Sequence, residues 1–139
     1  MSGLVFVDTN ILVYAHDAGA GAKHLRAKAA LRECWTAGNG CLSLQVLQEF
    51  YVTVTRKVAR PLTPRLAREI LSAYLAWRVV LLNAEDVLAA AEMAERLRLH
   101  FWDALILQAA RLGQAEVLLS EDFQAGQRIE GVAVHNPLC

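Results

Sequence analysis

The sequence predicts a three-layer α/β fold, with about five parallel strands in one sheet flanked by helices. Three observations predict it. Short continuous apolar runs ("LVFV", "CLSL", "VVLL", "EVLL", "VAV") recur along the chain, as expected of strands buried on both faces. Segments with helical periodicity lie between them, as crossover connections require. The 139 residues are 55% hydrophobic, enough for one sizeable core and too apolar for a disordered chain.

The elements follow in order. The first strand is expected at residues 4–8, where Val5, Phe6 and Val7 run into Asp8. Helical patterns come next, broken at Gly19-Ala20-Gly21, with a long helix from about 22 to 37. The "GNG" at 38–40 is a turn, and "CLSL" is a short second strand. A helix from about 44 to 58 ends near Pro61. Thr63 and Pro64 form an N-cap and first-position pair, opening a helix that runs to about Trp77. "VVLLN" is the third strand. Helices at about 84–98 and 102–112 follow, the second stopped by Gly113. "EVLLS" and "VAVHN" are the fourth and fifth strands. No repeat, low-complexity tract or linker divides the chain, so residues 1–139 read as a single domain.

Bulk properties narrow the function. Fourteen basic and 14 acidic residues give zero net charge, so a nucleic-acid partner has to be attracted by a local patch or a metal ion. No apolar run approaches the roughly 18 residues of a membrane span, and "MSGLVFVDTN" lacks the basic start of a signal peptide. Cys34, Cys41 and Cys139 are an odd set without C-x-x-C, which argues against a disulfide framework and for the cytoplasm. His16, His24, His100 and His135 are scattered, with no H-E-x-x-H, and no P-loop is present.

Four acids are placed for chemistry. Ligands of an open parallel sheet bind beyond the carboxyl ends of its strands. Asp8 ends the first strand and Asp122 follows the fourth, in "LLSEDF". Glu49 lies on the helix after the second strand, and Asp103 begins the helix in "FWDALILQAA". Carboxylates converging in a cleft repel one another and need a cation or raised pKa values. All-oxygen ligands select a hard ion, Mg²⁺ or Mn²⁺. Such an ion can orient water and neutralise a phosphodiester in its transition state. Each acid also has a simpler reading. Asp8 and Asp103 suit helix caps or first-turn positions, Asp122 suits a turn, and Glu49 falls on a polar face with Gln45, Arg56 and Arg60, opposite Leu44, Leu47, Phe50, Tyr51, Val54 and Val58.

The segments "FVDTNILVYA", "LSLQVLQEFYVTVTRK", "FWDALILQAA" and "VLLSEDFQAG…VHNP", in this order, resemble the PIN domain family and its VapC-like toxin branch over nearly the whole chain. The resemblance implies a five-stranded parallel PIN-like fold and a metal-dependent endoribonuclease. Asp8, Glu49 and Asp103 match the family's acidic triad, and Asp122 its more variable fourth acid. Asn10 and Ser120 match positions that support the acids by hydrogen bonding, with Asn10 expected to orient Asp8. The implied cofactor is Mg²⁺ or Mn²⁺. The implied partners are an RNA substrate, a small antitoxin and a second copy of the chain in a homodimer, with no membrane. Arg56 and Arg60, in a basic stretch running to Arg78, are candidate RNA-phosphate contacts, with a solvated face as the alternative. Trp102 is assigned to packing beside Asp103. A housekeeping PIN nuclease is the nearest rival. A non-catalytic receiver-like module is a further one, although "LLNAED" and "VHNP" carry no receiver-type Asp and Lys.

Overall fold

The computed structural model describes residues 3–139. Among them, six strands form one sheet in the order β3-β2-β1-β4-β6-β5. The strands are β1 (Leu4–Val7), β2 (Gly40–Ser43), β3 (Arg78–Val80), β4 (Ala115–Leu119), β5 (Arg128–Ile129) and β6 (Val132–His135). The helices are α1 (Thr9–His16), α2 (Ala22–Ala37), α3 (Leu44–Arg56), α4 (Pro64–Tyr74), α5 (Ala84–Leu97) and α6 (Phe101–Leu112). A 3₁₀ turn, Ala18–Ala20, occupies the Gly19-Ala20-Gly21 break.

All neighbouring strands run parallel except β5 and β6. β1 is central, pairing Phe6 with Cys41 of β2 on one side and Val7 with Leu119 of β4 on the other. Phe6 and Val7 are wholly buried. α1 packs on α2 and α3, α5 packs on α6, and α6 lies against β2 and β4. Phe6, Phe50, Ile11, Leu12, Leu42 and Leu107 are among the largest fully buried side chains. Each is worth roughly 1.5–3 kcal/mol against exposure. Caps fix the helix starts. The Ser43 hydroxyl accepts from Val46 N, Thr63 caps α4 ahead of Pro64, and Asn83 with Asp86 forms a capping box on α5.

The parallel α/β fold agrees with the sequence reading, and the differences are local. The fifth predicted strand is β6, and β5 is an added antiparallel partner. Glu130 and Gly131, both at positive φ, close the two-residue turn between them, as a type I′ hairpin requires. α4 ends at Tyr74, three residues before the expected Trp77, because Trp77 turns inward. Its indole occupies the place a side chain at Gly40 would fill, since a Cβ there would stand 2.4 Å from the ring. α3 ends at Arg56, so Arg60 lies beyond the helix instead of on its polar face. Leu44, expected on the apolar face of that helix, is exposed, and Val46 is buried.

Candidate active site

The site begins with Asp8, set at the end of a strand buried between two neighbours. Its own N–H donates to Leu119 O at 3.0 Å, which locks it to β4. The side chain is 4% exposed. Oδ1 accepts the Thr9 backbone N–H at 2.7 Å, capping α1, while Oδ2 accepts the Ser120 hydroxyl at 2.7 Å. Capping and facing a shared site are therefore not alternatives for this residue. Burial pushes the Asp8 carboxyl up to about 7. The Ser120 and Thr9 bonds pull down, and the charges of Asp122 and Asp103 push up again.

Ser120 is completely buried and links two acids. Its Oγ donates to Asp8 and accepts the Asp122 N–H at 3.0 Å. Asp122 then accepts from Asn10 Nδ2 at 2.9 Å, and Asn10 Oδ1 accepts the Glu121 N–H at 3.3 Å. Asn10 thus orients Asp122 and its loop, and not Asp8 as the resemblance implied. Glu121 turns away, accepting from the Tyr14 hydroxyl at 2.8 Å and from Lys23 at 3.3 Å.

Glu49 is not part of a solvated face. Phe50, wholly buried, fixes the rotation of α3, and Glu49 is partly buried toward α1. There Oε1 accepts the Thr9 hydroxyl at 2.7 Å and Oε2 accepts from Gln45 Nε2 at 3.3 Å. The sequence reading missed both partners. Gln45 was legible, because it stands four residues before Glu49 and such pairs are neighbours on a helix. Thr9 depends on how α1 meets α3, which no local pattern records. Asp103 sits in the first turn of α6. Burial raises its pKa, Asp122 adds to the rise, His100 opposes it, and Glu49 contributes a further push.

Asp8, Glu49, Asp103 and Asp122 line one cavity of about 860 Å³. The cavity thus joins chain segments more than a hundred residues apart. Lys57 lines it as well, whereas Arg56 and Arg60 do not. The Arg60 stem lies beside Gly19. Trp102, expected to pack beside Asp103, is 64% exposed and also lines the cavity.

The carboxylates fit a hard divalent ion in donor chemistry. Among the described residues, no three His, Cys, Asp or Glu side chains are drawn together into a ready-made metal cage. Burial is the main cause of the upward pull on Asp8 and Asp103, and the neighbouring carboxylates add to it.

Acids from four separate chain segments thus gather at the carboxyl edge of a mostly parallel sheet. The PIN domain family matches residues 5–128, and the chain belongs to that family. Membership displaces the receiver-like alternative. No curated protein matches the sequence. Solved structures share the fold at low identity. The VapC20 toxin of Mycobacterium tuberculosis, which cleaves the sarcin–ricin loop, superposes with a TM-score of 0.66 at 22% identity, over 85% of this chain and 89% of that one. A toxin–antitoxin complex from Klebsiella pneumoniae gives 0.66 at 23% identity, over 96% and 97%. VapBC2 of Rickettsia felis, bound to a promoter DNA fragment, gives 0.64 at 20% identity, over 96% and 98%. No helix among the described residues is long and apolar enough to cross a membrane.

Proposed function

We propose that this chain is a metal-dependent endoribonuclease and the toxin of a toxin–antitoxin pair. The observation that carries the nuclease half is the meeting of Asp8, Glu49, Asp103 and Asp122 around one cavity. The toxin half, with a small antitoxin as partner, is supported by the fold shared with toxin–antitoxin complexes. A housekeeping PIN nuclease would use the same site. A second copy of the chain in a homodimer is the further partner that the family resemblance implies.

The four acids would hold Mg²⁺ or Mn²⁺, which supplies charge neutralisation and an electrophile for the phosphodiester. The remaining work belongs to the chain. Ser120 and the Thr9 N–H keep the Asp8 carboxylate in one orientation. The Thr9 hydroxyl and Gln45 hold both oxygens of Glu49, and Asn10 holds Asp122. Side chains restrained in this way need little reorganisation when charge develops on the substrate.

Incubation with total RNA tests the reading. Purified protein free of any antitoxin is expected to produce new RNA ends with Mg²⁺ or Mn²⁺ and none in EDTA, as mapped by end sequencing. Full cleavage in EDTA would remove the metal from the mechanism. Expression of the chain alone is expected to arrest growth of a sensitive bacterial host. Normal growth alongside cleavage in vitro would favour the housekeeping role.

Arg56 and Arg60 remain candidates for RNA held outside the cavity, beyond Lys57. Replacing both with Ala is expected to weaken RNA binding and to flatten its salt dependence, by about one charge for each phosphate that is no longer neutralised. An RNA-affinity series in salt, read in an Asp8→Asn background to prevent cleavage, checks this. An unchanged slope would assign both residues to solvent.

A further inference from the structure

Among the described residues, five acids line the cavity, Asp8, Asp17, Glu49, Asp103 and Asp122, against one basic side chain, Lys57. Beyond the scissile phosphate, which an ion on these acids would meet, an RNA strand gains little from phosphate attraction at this cavity and needs a grip of another kind. Trp102 answers the need. It is a large aromatic residue, 64% exposed, on the cavity wall next to Asp103. The other two tryptophans are committed elsewhere, with Trp35 and Trp77 packed against Tyr74 and each other. Trp102 makes a ring contact with Phe101, edge-on with centroids 5.2 Å apart. Phe101 is itself partly buried against the core, so the indole has a support that leaves most of its surface to solvent.

We infer that Trp102 is a stacking platform for one unpaired nucleobase of the RNA next to the scissile phosphodiester, an inference that rests on the nuclease reading. Stacking on an aromatic face draws no help from charge, so it works beside an acidic cluster. It requires a base outside a duplex, which directs cleavage to single-stranded loops, bulges or ends. A purine, with the larger face, is favoured over a pyrimidine at that position.

The test uses the full chain and a set of single-stranded RNA oligonucleotides spanning a mapped cleavage site, each with one abasic residue. With the wild type, kcat/KM is expected to fall about tenfold for one abasic position beside the cut, and little for the others. Trp102→Ala is expected to lose about tenfold on the intact oligonucleotide and to be indifferent to that abasic position. Trp102→Phe is expected to retain most of the rate and the sensitivity. Circular dichroism and light scattering accompany each variant. Equal cleavage of intact RNA by wild type and Trp102→Ala would overturn the inference while leaving the nuclease reading intact. So would a Trp102→Ala defect that is the same on every abasic substrate, or one that follows a change in oligomeric state. If Trp102→Ala does not fold, the Trp102→Phe variant and the wild-type abasic profile decide, and a flat profile overturns the inference. A wild type that cuts no RNA with either metal would instead defeat the nuclease reading.

Discussion

Asp8→Asn is expected to lower RNA cleavage by roughly 10²–10³-fold or more, the size of effect seen when a group that stabilises transition-state charge is removed. The amide keeps the side-chain volume and can still accept the Thr9 N–H, so the fold is expected to survive. Without metal, the variant is expected to be the more stable protein at neutral pH. The sign follows from the raised pKa. Folded Asp8 binds its proton more tightly than the unfolded chain does, with about 7 against 3.8. The residue therefore costs nothing below the unfolded value, and it destabilises the fold progressively as pH rises from 3.8 to about 7. The full penalty is on the order of 2–4 kcal/mol. Thermal melts of both proteins in EDTA between pH 4 and pH 8 measure it as a difference that grows with pH. Saturating Mg²⁺ or Mn²⁺ is expected to stabilise the wild type and not the variant. A constant difference across the range would mean that Asp8 is ionised without penalty and is only a helix cap.

Ser120→Ala is expected to cost about 10–100-fold in activity, the usual effect of removing a partner that orients a metal ligand. One hydroxyl holds Asp8 Oδ2 and receives the Asp122 N–H, so its removal disturbs two acids together. Because the Ser120 bond pulls the Asp8 pKa down, the substitution is expected to move the acidic limb of the pH–rate profile upward. Activity then falls further at pH 6 than at pH 8. A profile lowered equally at every pH would make Ser120 a packing residue with no electrostatic part in the site.

What the sequence made legible follows from the range over which its signals act. Strand β1 and the position of Asp8 at its end were readable because "LVFV" is apolar throughout and the next residue is charged. α4 was readable at its start, where Thr63 and Pro64 act within one turn, and not at its end, where Trp77 answers to Gly40 on another element. β5 spans two residues and has no period to detect. The four acids were proposed from their places beside strand ends and on helices, together with a resemblance over nearly the whole chain. Their supports were less accessible. A helical wheel puts Glu49 among polar residues but cannot say that α1 lies against that face with Thr9 pointing at it. The resemblance paired Asn10 with Asp8, whereas the return of the chain after β4 brings Asp122 to Asn10. Trp102 was assigned to packing beside Asp103, yet in the structure its indole is largely exposed and its neighbour Phe101 is the one packed against the core.

The central place of β1 has a bearing on protein synthesis. The strand that carries Asp8 is made well before its β4 partner, residues Ala115–Leu119, with Ser120 and Asp122 just behind. A nascent chain holding β1, β2 and α3 already contains Asp8 and Glu49, yet one flank of β1 is bare and the Ser120 hydroxyl that steadies the Asp8 carboxylate has not been made. The acid cluster therefore cannot assemble until the segment through Asp122 has been made. The order of strands in the sheet thereby makes completion of the acid cluster depend on the last-made of its segments.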